Sequence, residues 1–335
     1  MLKAVLLTDG TGKDGSEGPS GETNVSLLQK YLAGNGVQGQ YVHYQPGPGV
    51  GYGDTVEGGA NGLHLDRIIF SHYSWLVRCV QSLDIKDGSE FVVSLFGFSR
   101  GAFVSRILAD LISRAGVPRN TTYVNTVIRL YLSRDFTGIE RWRRKNKGLF
   151  LDIKILFLGL WDTVAASTEF EAAEYETVPE NVHAVAHAVA INESRPMFDY
   201  LKIKLRDGIT EEFFAGSHSD VGGGYGDGQV LSRITLNWII DHAKANGVEF
   251  ITFPEPVLDV EYQGAETHSE KFSLSNAGGA LGDKTRIIDK ERLNSSVSKL
   301  PWKVFDGKNQ PIVSEDLKNV VAAYRADNII PDDVA

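Results

Sequence analysis

Short apolar runs alternate with longer segments of helical periodicity through roughly the first 250 residues of the chain. Two of these runs, Phe91–Phe96 and Ile155–Leu158, are almost continuously apolar, which is typical of strands buried on both faces. The predicted strands are Ala4–Leu7, Gln40–Tyr44, Phe91–Phe96, Ile153–Leu160, Lys202–Leu205 and Glu212–Ala215. The alternation predicts an α/β fold with a mostly parallel central sheet flanked by helices.

Four segments carry apolar residues at the three- and four-residue spacing of an amphipathic helix. The predicted helices are Val25–Leu32, Leu63–Leu83, Ala102–Arg114 and Leu231–Ala245. Ordinary signals bound them, such as Thr23-Asn24 before the first and Gly116 after the third. The periodicity weakens beyond about residue 250, so we predict one domain over 1–335 with a loop-rich C-terminal portion.

Charge and composition narrow the class of protein. The 335 residues include 34 Lys and Arg against 43 Asp and Glu, and a net charge of −9 disfavours nonspecific binding to nucleic acid. A single cysteine, Cys79, excludes an intrachain disulfide and a multi-cysteine zinc site. No apolar run reaches the ~20 residues of a membrane span, and Met1–Asp9 turns polar too soon for a signal peptide. We therefore expect a protein that is cytoplasmic as synthesised and has no stable membrane anchor.

Two runs of like charge stand out, a basic one at Arg141–Lys147 and an acidic one at Glu169–Glu180. We interpret both as solvated surface. The alternative is that they flank the active site as a lid or as contacts to lipid headgroups. The acidic, loop-like stretch Thr168–Pro179 is the candidate lid because it follows closely after Asp162.

The segment Gly97-Phe98-Ser99-Arg100-Gly101 has the G-x-S-x-G pattern and lies between a predicted buried strand and a predicted helix. A nucleophile elbow requires that context, because its serine sits on a strained turn where neighbouring Cβ atoms would clash. The alternative is a glycine-rich turn with an incidental serine. We interpret Ser99 as a nucleophile, with the backbone N–H of Arg100 placed to bind an oxyanion at the helix N-terminus.

A nucleophilic serine needs an acid and a histidine, which follow it in that order in this class of fold. Asp162 ends an apolar strand, at the carboxyl edge of the sheet where active sites lie, and His218 follows in a glycine-rich loop. Asp220 competes with Asp162 as the acid because it is near His218 in sequence. At that spacing, however, it is better placed to bond N–H groups of its own turn. We predict Ser99, Asp162 and His218 as catalytic residues, with Asp220 in support.

Asp9, Gly10 and Thr11 follow the first predicted strand and form the natural second wall of this site. One of their backbone N–H groups is expected to complete the oxyanion hole with Arg100. Neither this loop nor the run Gly47–Gly53 matches a P-loop or a dinucleotide-binding fingerprint. We therefore predict no organic cofactor.

His183 and His187 are four residues apart on a segment that we interpret as a helix, and zinc hydrolases space two ligands in this way. Ala184 stands where such a motif has its glutamate. We interpret both histidines as structural and predict no metal.

Three motifs together resemble the DUF2235 family, whose α/β-hydrolase members include the catalytic domain of Tle1-type phospholipase effectors of type VI secretion. The motifs are Gly97–Ala102, Trp161–Val164 and His218–Tyr225, and the resemblance extends over roughly residues 4–300. It implies an α/β-hydrolase-like fold and a Ser/Asp/His acyl-ester hydrolase, with phospholipid as the best-known substrate class. It also implies export to a target cell without a signal peptide, and an immunity or secretion partner.

Two departures limit what the resemblance implies. Ala165 stands where the family often has glycine, and this chain has little room for the large membrane-anchoring insertions of the effector enzymes. Ester hydrolysis, most simply by a (phospho)lipase, is therefore the first hypothesis. A carboxylesterase acting on a small, sugar or polyester substrate and a catalytically silent binding relative are the alternatives.

Overall fold

A computed structural model of the chain describes residues 1–16, 21–50, 64–165, 170–226, 230–268, 286–300 and 315–327. Its strands are β1 Leu2–Thr8, β2 Gln40–Gln45, β3 Phe91–Phe98, β4 Val117–Pro118, β5 Phe150–Leu151, β6 Lys154–Trp161, β7 Val182–Ala190 and β8 Ile209–Phe214. Six of them form one sheet in the order β2-β1-β3-β6-β7-β8, and every neighbouring pair in it is parallel. The short strands β4 and β5 pair antiparallel to each other.

Helices cover both faces of this sheet. They are α1 Asn24–Tyr31, α2 Leu65–Ser82, α3 Arg100–Ala115, α4 Val124–Leu132, α5 Phe136–Lys145, α6 His218–Gly222, α7 Val230–Ala245, α8 Asp259–Gly264, α9 Ser296–Lys299 and α10 Glu315–Asp327. Short 3₁₀ helices stand at Val37–Gly39, Gly88–Glu90, Thr121–Tyr123, Ala172–Tyr175, Pro196–Phe198 and Lys290–Arg292. Within the described ranges, none of these helices combines the length and the apolarity that crossing a lipid bilayer demands.

The sheet separates two hydrophobic cores, because successive side chains of a strand point to opposite faces. In β1, Ala4 and Leu6 join the core built with α2 and α3, whereas Val5 and Leu7 join the core built with α1 and α7. A sheet buried on both faces explains the continuous apolar runs of β3 and β6. The α/β fold with a mostly parallel central sheet is thus confirmed.

Two elements differ from the sequence prediction. Residues Val182–Ala190, which we interpreted as helical around His183 and His187, form strand β7. The run Lys202–Leu205 alternates like a strand but has no regular secondary structure. It is held by separate backbone hydrogen bonds, among them one from Lys204 N–H to the carbonyl of Glu176. The predicted start of α2 at Leu63 lies outside the described residues.

The two charged runs do not occupy equivalent places. Arg143 of the basic run contacts Asp152, before β6, and the carbonyl of Arg114, near the end of α3. These positions lie at the amino edge of the sheet, so the alternative in which the basic run flanks the site at the carboxyl edge is wrong. In the acidic run, Phe170 and Tyr175 are buried against Phe103 of α3, and Thr168 and Glu169 lie outside the described residues. The described part of this candidate lid is therefore anchored by buried aromatic rings.

The order of the strands defines where a ligand would bind. β2 lies on one side of β1 and all later strands of the sheet lie on the other, so the winding reverses between β1 and β3. Open parallel sheets bind ligands beyond the carboxyl ends of their strands at such a reversal. Asp9 and Ser99 directly follow these two strands.

Candidate active site

Ser99 occupies a tight turn between β3 and α3. Its backbone has φ 59° and ψ −126°, a region that side chains other than glycine rarely adopt. A Cβ at Gly97 would lie 2.4 Å from the carbonyl oxygen of Gly101, and a Cβ at Gly101 would lie 2.3 Å from that of Asp9. Both glycines are therefore needed for the helix to pack this close to the ends of β1 and β3.

A continuous hydrogen-bonded path links the three side chains that we predicted as catalytic. Ser99 Oγ lies 2.8 Å from His218 Nε2, and His218 Nδ1 lies 2.6 Å from Asp162 Oδ2. Ser99, His218 and Asp162 are 3%, 4% and 0% exposed. With Asp162 ionised, Nδ1 of His218 carries the ring proton and donates a hydrogen bond to the carboxylate. Nε2 is then unprotonated and can accept a hydrogen bond from the hydroxyl of Ser99.

The carboxylate of Asp162 is saturated with donors. Oδ1 accepts the N–H of Ala190 at 2.9 Å and Nη1 of Arg286 at 2.5 Å, and Oδ2 accepts Nη2 of Arg286 at 3.0 Å besides His218. Burial alone would raise the pKa of this carboxyl. The charge of Arg286 and the hydrogen bonds from His218 and Arg286 outweigh burial and hold that pKa well below its usual range. Asp162 is therefore a carboxylate throughout the physiological pH range.

Aromatic and acidic groups hold His218 from its other sides. Its ring lies between Phe98, with centroids 4.6 Å apart, and Phe198, with centroids 4.9 Å apart. Its backbone N–H donates to Glu193 Oε2 at 3.2 Å, and Arg195 pairs with the same carboxylate. The ring is thus fixed in the plane that joins Ser99 to Asp162.

The loop after β1 leaves one backbone donor for an oxyanion. The N–H of Asp9 donates to the carbonyl of Gln45, and the N–H of Gly10 donates to the Asp9 carboxylate at 2.7 Å. That carboxylate also accepts hydroxyl hydrogen bonds from Thr23 and Tyr44. Among the described residues, the N–H of Thr11 has no acceptor. Of the three predicted loop donors, Thr11 is thus the one whose N–H is not already used within the part of the chain that the structure describes.

Arg100 has two distinct features. Its backbone N–H lies at the first position of α3, where a helix has no internal acceptor for it. Its side chain is 8% exposed, and Nη1 has no hydrogen-bond partner in the described part of the chain. Burial lowers the pKa of this guanidinium to about 10. A buried cation whose Nη1 has no partner among the described residues is costly, so an anion beside it would be stabilised.

Asp220 is not in contact with the side chain of His218. Its Oδ2 accepts the N–H and hydroxyl of Ser217, which caps α6, and the N–H of His268. Its Oδ1 lies 2.6 Å from His268 Nδ1. Asp220 therefore holds the turn that carries His218, and the carboxylate that meets the imidazole is that of Asp162.

His183 and His187 are not arranged as a metal site. On a strand, residues four positions apart are separated by about 13 Å, too far to share one ion. His183 is exposed, whereas His187 is fully buried with Nδ1 2.8 Å from Glu211 Oε2. Within the described ranges, no cluster of His, Cys, Asp and Glu side chains is arranged to hold a metal ion.

Sequence reasoning missed three residues of this site. They are Arg286 on Asp162, Glu193 beneath His218, and Phe198 against the imidazole ring. Glu193 and Phe198 follow β7, so recognising that strand would have placed them at the carboxyl edge. Arg286 stands 124 positions from Asp162 in the chain, and no local pattern signals such a pair.

Comparison with known proteins gives the following relationships. The family model of the catalytic domain of Tle1-like phospholipase effectors of the type VI secretion system matches residues 3–242. An uncharacterized protein of Saccharomyces cerevisiae is 26% identical over an alignment of 229 residues, which covers 59% of this chain and 32% of the yeast protein.

Two solved structures are similar to the chain. An uncharacterized protein from Pseudomonas aeruginosa matches with a TM-score of 0.51 and 18% identity, over 74% of this chain and 46% of that one. The Tle1 effector bound to the VgrG spike of the type VI secretion system matches with a TM-score of 0.41 and 18% identity, over 67% of this chain and 51% of that one. The chain thus spans about a third of the yeast relative and about half of each solved chain.

Proposed function

Because the chain belongs to the family of Tle1-like phospholipase effector catalytic domains of type VI secretion, we propose that it is a serine-dependent acyl-ester hydrolase. Ser99, His218 and Asp162 are its catalytic residues. The observation that carries this proposal is the hydrogen-bonded path from Ser99 Oγ through both nitrogens of His218 to the Asp162 carboxylate. The path ends on a strained serine at the reversal point of the sheet, where ligands of such folds bind.

The reaction proceeds through an acyl-enzyme. His218 Nε2 takes the proton of Ser99 as Oγ bonds to the ester carbonyl carbon, and the carbonyl electrons move onto its oxygen. The N–H groups of Arg100 and Thr11 stabilise that oxyanion. The imidazolium then protonates the leaving alcohol, and the C–O bond of the ester breaks. Water repeats the sequence with His218 as base, which releases the acid and restores Ser99.

A phospholipid is the favoured substrate, cleaved at an acyl ester. The family is one of phospholipase effectors, and the buried guanidinium of Arg100 favours a substrate that carries a phosphate. We also propose delivery to a target cell, with an immunity or secretion partner, by analogy with the same family. A non-lipid ester and a silent binding role are the outcomes that would displace this assignment.

A fluorophosphonate probe tests the nucleophile. Such a reagent phosphonylates an activated serine, so it is expected to label the wild type and not Ser99→Ala. Ser105→Ala is the matched control. Ser105 is a buried serine of α3, the helix that follows Ser99, and its hydroxyl donates a hydrogen bond to the carbonyl of Phe96. Equal labelling of the wild type and Ser99→Ala would contradict the proposal.

A substrate panel then separates the hypotheses. Fatty-acid release from phospholipid vesicles supports the lipase, whereas turnover of p-nitrophenyl esters alone indicates a carboxylesterase. Absence of both turnover and labelling indicates a silent relative. Arg100→Gln keeps the backbone N–H and removes the cation, so it is expected to reduce phospholipid turnover about tenfold more than turnover of a neutral ester.

A further inference from the structure

Arg286 is a buried part of the site for which the reaction sequence above has no role. Its side chain is 3% exposed, and its guanidinium donates hydrogen bonds to both carboxylate oxygens of Asp162. The guanidinium is planar, so this two-pronged contact fixes the plane of the carboxylate as well as its position. His218 binds one of the same two oxygens, so the orientation of the imidazole depends on that plane.

The same guanidinium joins three segments of the chain. Nη1 donates to the carbonyl of Ala190 at 2.7 Å, at the end of β7, and Nη2 donates to the carbonyl of Phe198 at 2.5 Å. Its carbon lies 5.3 Å from the centre of the Tyr200 ring. Because the Phe198 ring packs on His218, Arg286 supports the imidazole through two routes, the carboxylate and the aromatic wall.

Arg286 also changes the electrostatics of the site. A triad carboxylate stabilises the imidazolium that forms when the serine loses its proton. A fixed cation on that carboxylate offsets part of its charge, so the carboxylate attracts an imidazolium less strongly than it would alone. The other charged groups around His218 are Glu193, which is paired with Arg195, and Asp220, which is paired with His268. Among the described residues, Arg286 is the arginine whose guanidinium contacts the Asp162 carboxylate.

We propose that Arg286 is a positioning residue that fixes the Asp162 carboxylate and sets the lower pH limit of activity. The inference rests on the proposed function. Arg286 lies outside residues 3–242, the range that the family model matches, so the C-terminal portion of the chain completes the acid–histidine pair.

The pH profile of kcat/KM on a p-nitrophenyl ester tests this role with three variants. Arg286→Met removes both the positive charge and the two-point contact with the Asp162 carboxylate. The midpoint of the acidic limb of the profile is therefore expected to rise by about one pH unit, and the plateau value of kcat/KM to fall about 10- to 100-fold. Arg286→Lys keeps the positive charge and loses the planar two-point contact, so the plateau value of kcat/KM is expected to fall while the midpoint of the acidic limb stays unchanged. A purely structural role would lower the plateau in both variants and move neither midpoint.

Arg292→Met is the matched control. Arg292 belongs to the same segment and also binds a buried carboxylate, that of Glu211, but this carboxylate serves His187. Its loss is expected to reduce stability and to leave the acidic limb unchanged. A double-variant cycle with Asp162→Asn adds a second test, because Arg286→Met should then cost little further activity. Equal losses in both backgrounds would overturn the proposal.

Histidine NMR tests the effect of Arg286 on the His218 imidazole without turnover. The Nδ1–H resonance of His218, identified from the His218→Gln spectrum, is expected to move or broaden in Arg286→Met, because the carboxylate that accepts this proton is no longer held in place. Arg286→Gln serves as a second neutral variant if the methionine variant does not fold. An unchanged Nδ1–H resonance in a folded neutral variant would overturn the proposal. A wild type without Ser99-dependent turnover, yet with this change in the resonance present, would overturn the proposed function alone.

Discussion

Two buried acid–histidine pairs lie near each other in this protein, and they differ in whether the second ring nitrogen is free to take a proton. In each, a histidine Nδ1 contacts a carboxylate, at 2.6 Å for His218 with Asp162 and at 2.8 Å for His187 with Glu211. In each, an arginine from residues 286–300 binds the same carboxylate. Burial and the nature of the partners therefore do not distinguish them.

The difference lies at the other ring nitrogen. Nε2 of His218 faces the hydroxyl of Ser99 alone. Nε2 of His187 lies 3.1 Å from the hydroxyl of the fully buried Thr163 and also accepts the backbone N–H of that residue at 3.2 Å. An N–H donor occupies the lone pair that a general base needs, so His187 cannot take a proton from a substrate. His187 also lies within a central strand, whereas His218 lies at the carboxyl edge of the sheet. A buried acid–histidine pair indicates catalysis only where its free nitrogen reaches a nucleophile.

The largest expected difference is between amide substitutions in the two pairs. Asp162→Asn is expected to lower kcat by about 10²- to 10⁴-fold, because the amide favours the wrong imidazole tautomer and no longer stabilises the imidazolium. Glu211→Gln is expected to keep activity within a few-fold of wild type. Kinetics on a p-nitrophenyl ester measures both.

Stability is expected to respond differently from activity in these variants. Each substitution leaves a buried arginine without its anion, so both should reduce the free energy of unfolding by about 2–4 kcal/mol. Urea denaturation measures this loss. A Glu211→Gln variant that loses activity as severely as Asp162→Asn would show that the two pairs are functionally coupled.

The second prediction concerns how the His187–Glu211 pair makes the stability of the protein depend on pH. Burial lowers the pKa of His187 more than its hydrogen bond to the Glu211 carboxylate raises it. Below the ordinary histidine value of about 6.5, the unfolded chain therefore binds a proton that the folded protein excludes, and stability falls as pH falls. His187→Asn is expected to reduce this slope by up to about 1.4 kcal/mol per pH unit between pH 5 and 6.5.

Denaturation at several pH values measures this slope. His183→Asn is the control, because His183 is an exposed histidine on the same strand and its loss should leave the slope unchanged. Half-buried His43 and His242 and the buried His72 contribute to the remaining slope, since burial lowers the pKa of each of them, to about 4 for His43. An unchanged slope in His187→Asn would mean that His187 is already charged in the folded protein.

The smallest effect is expected at Asp220, which supports the turn of the His218 pair without touching its imidazole. Asp220→Asn weakens the cap of α6, so it should cost about 1–2 kcal/mol of stability and less than about tenfold in kcat. Thermal denaturation and ester kinetics measure the two. A larger loss of activity than in Asp162→Asn would assign the acid role to Asp220.

Part of this arrangement could be predicted from local sequence. The elbow at Ser99 is a strand, a glycine-flanked serine and a helix in immediate succession, so neighbouring residues specify it. Asp162 and His218 follow in the order typical of α/β-hydrolases, and the family match confirms the resemblance inferred from these motifs.

Other parts depend on tertiary contacts. β7 is rich in alanine, which favours helices, and burial on both faces removes the polar alternation that would have indicated a strand. Lys202–Leu205 has the alternation but no partner strand. Arg286 owes its place to a distant carboxylate, and a lone arginine in a weakly periodic segment carries no signal of that contact.

The contact between Arg286 and Asp162 has a consequence for the timing of synthesis. A ribosome adds about 5–20 residues per second, so Ser99, Asp162 and His218 emerge several seconds before Arg286. During that interval a nascent chain holds the three reacting groups without the guanidinium that orders them. If Arg286 orders the acid and the histidine, full activity appears only after residue 286 has been translated. The order of translation thus separates the synthesis of the three groups from the completion of their site.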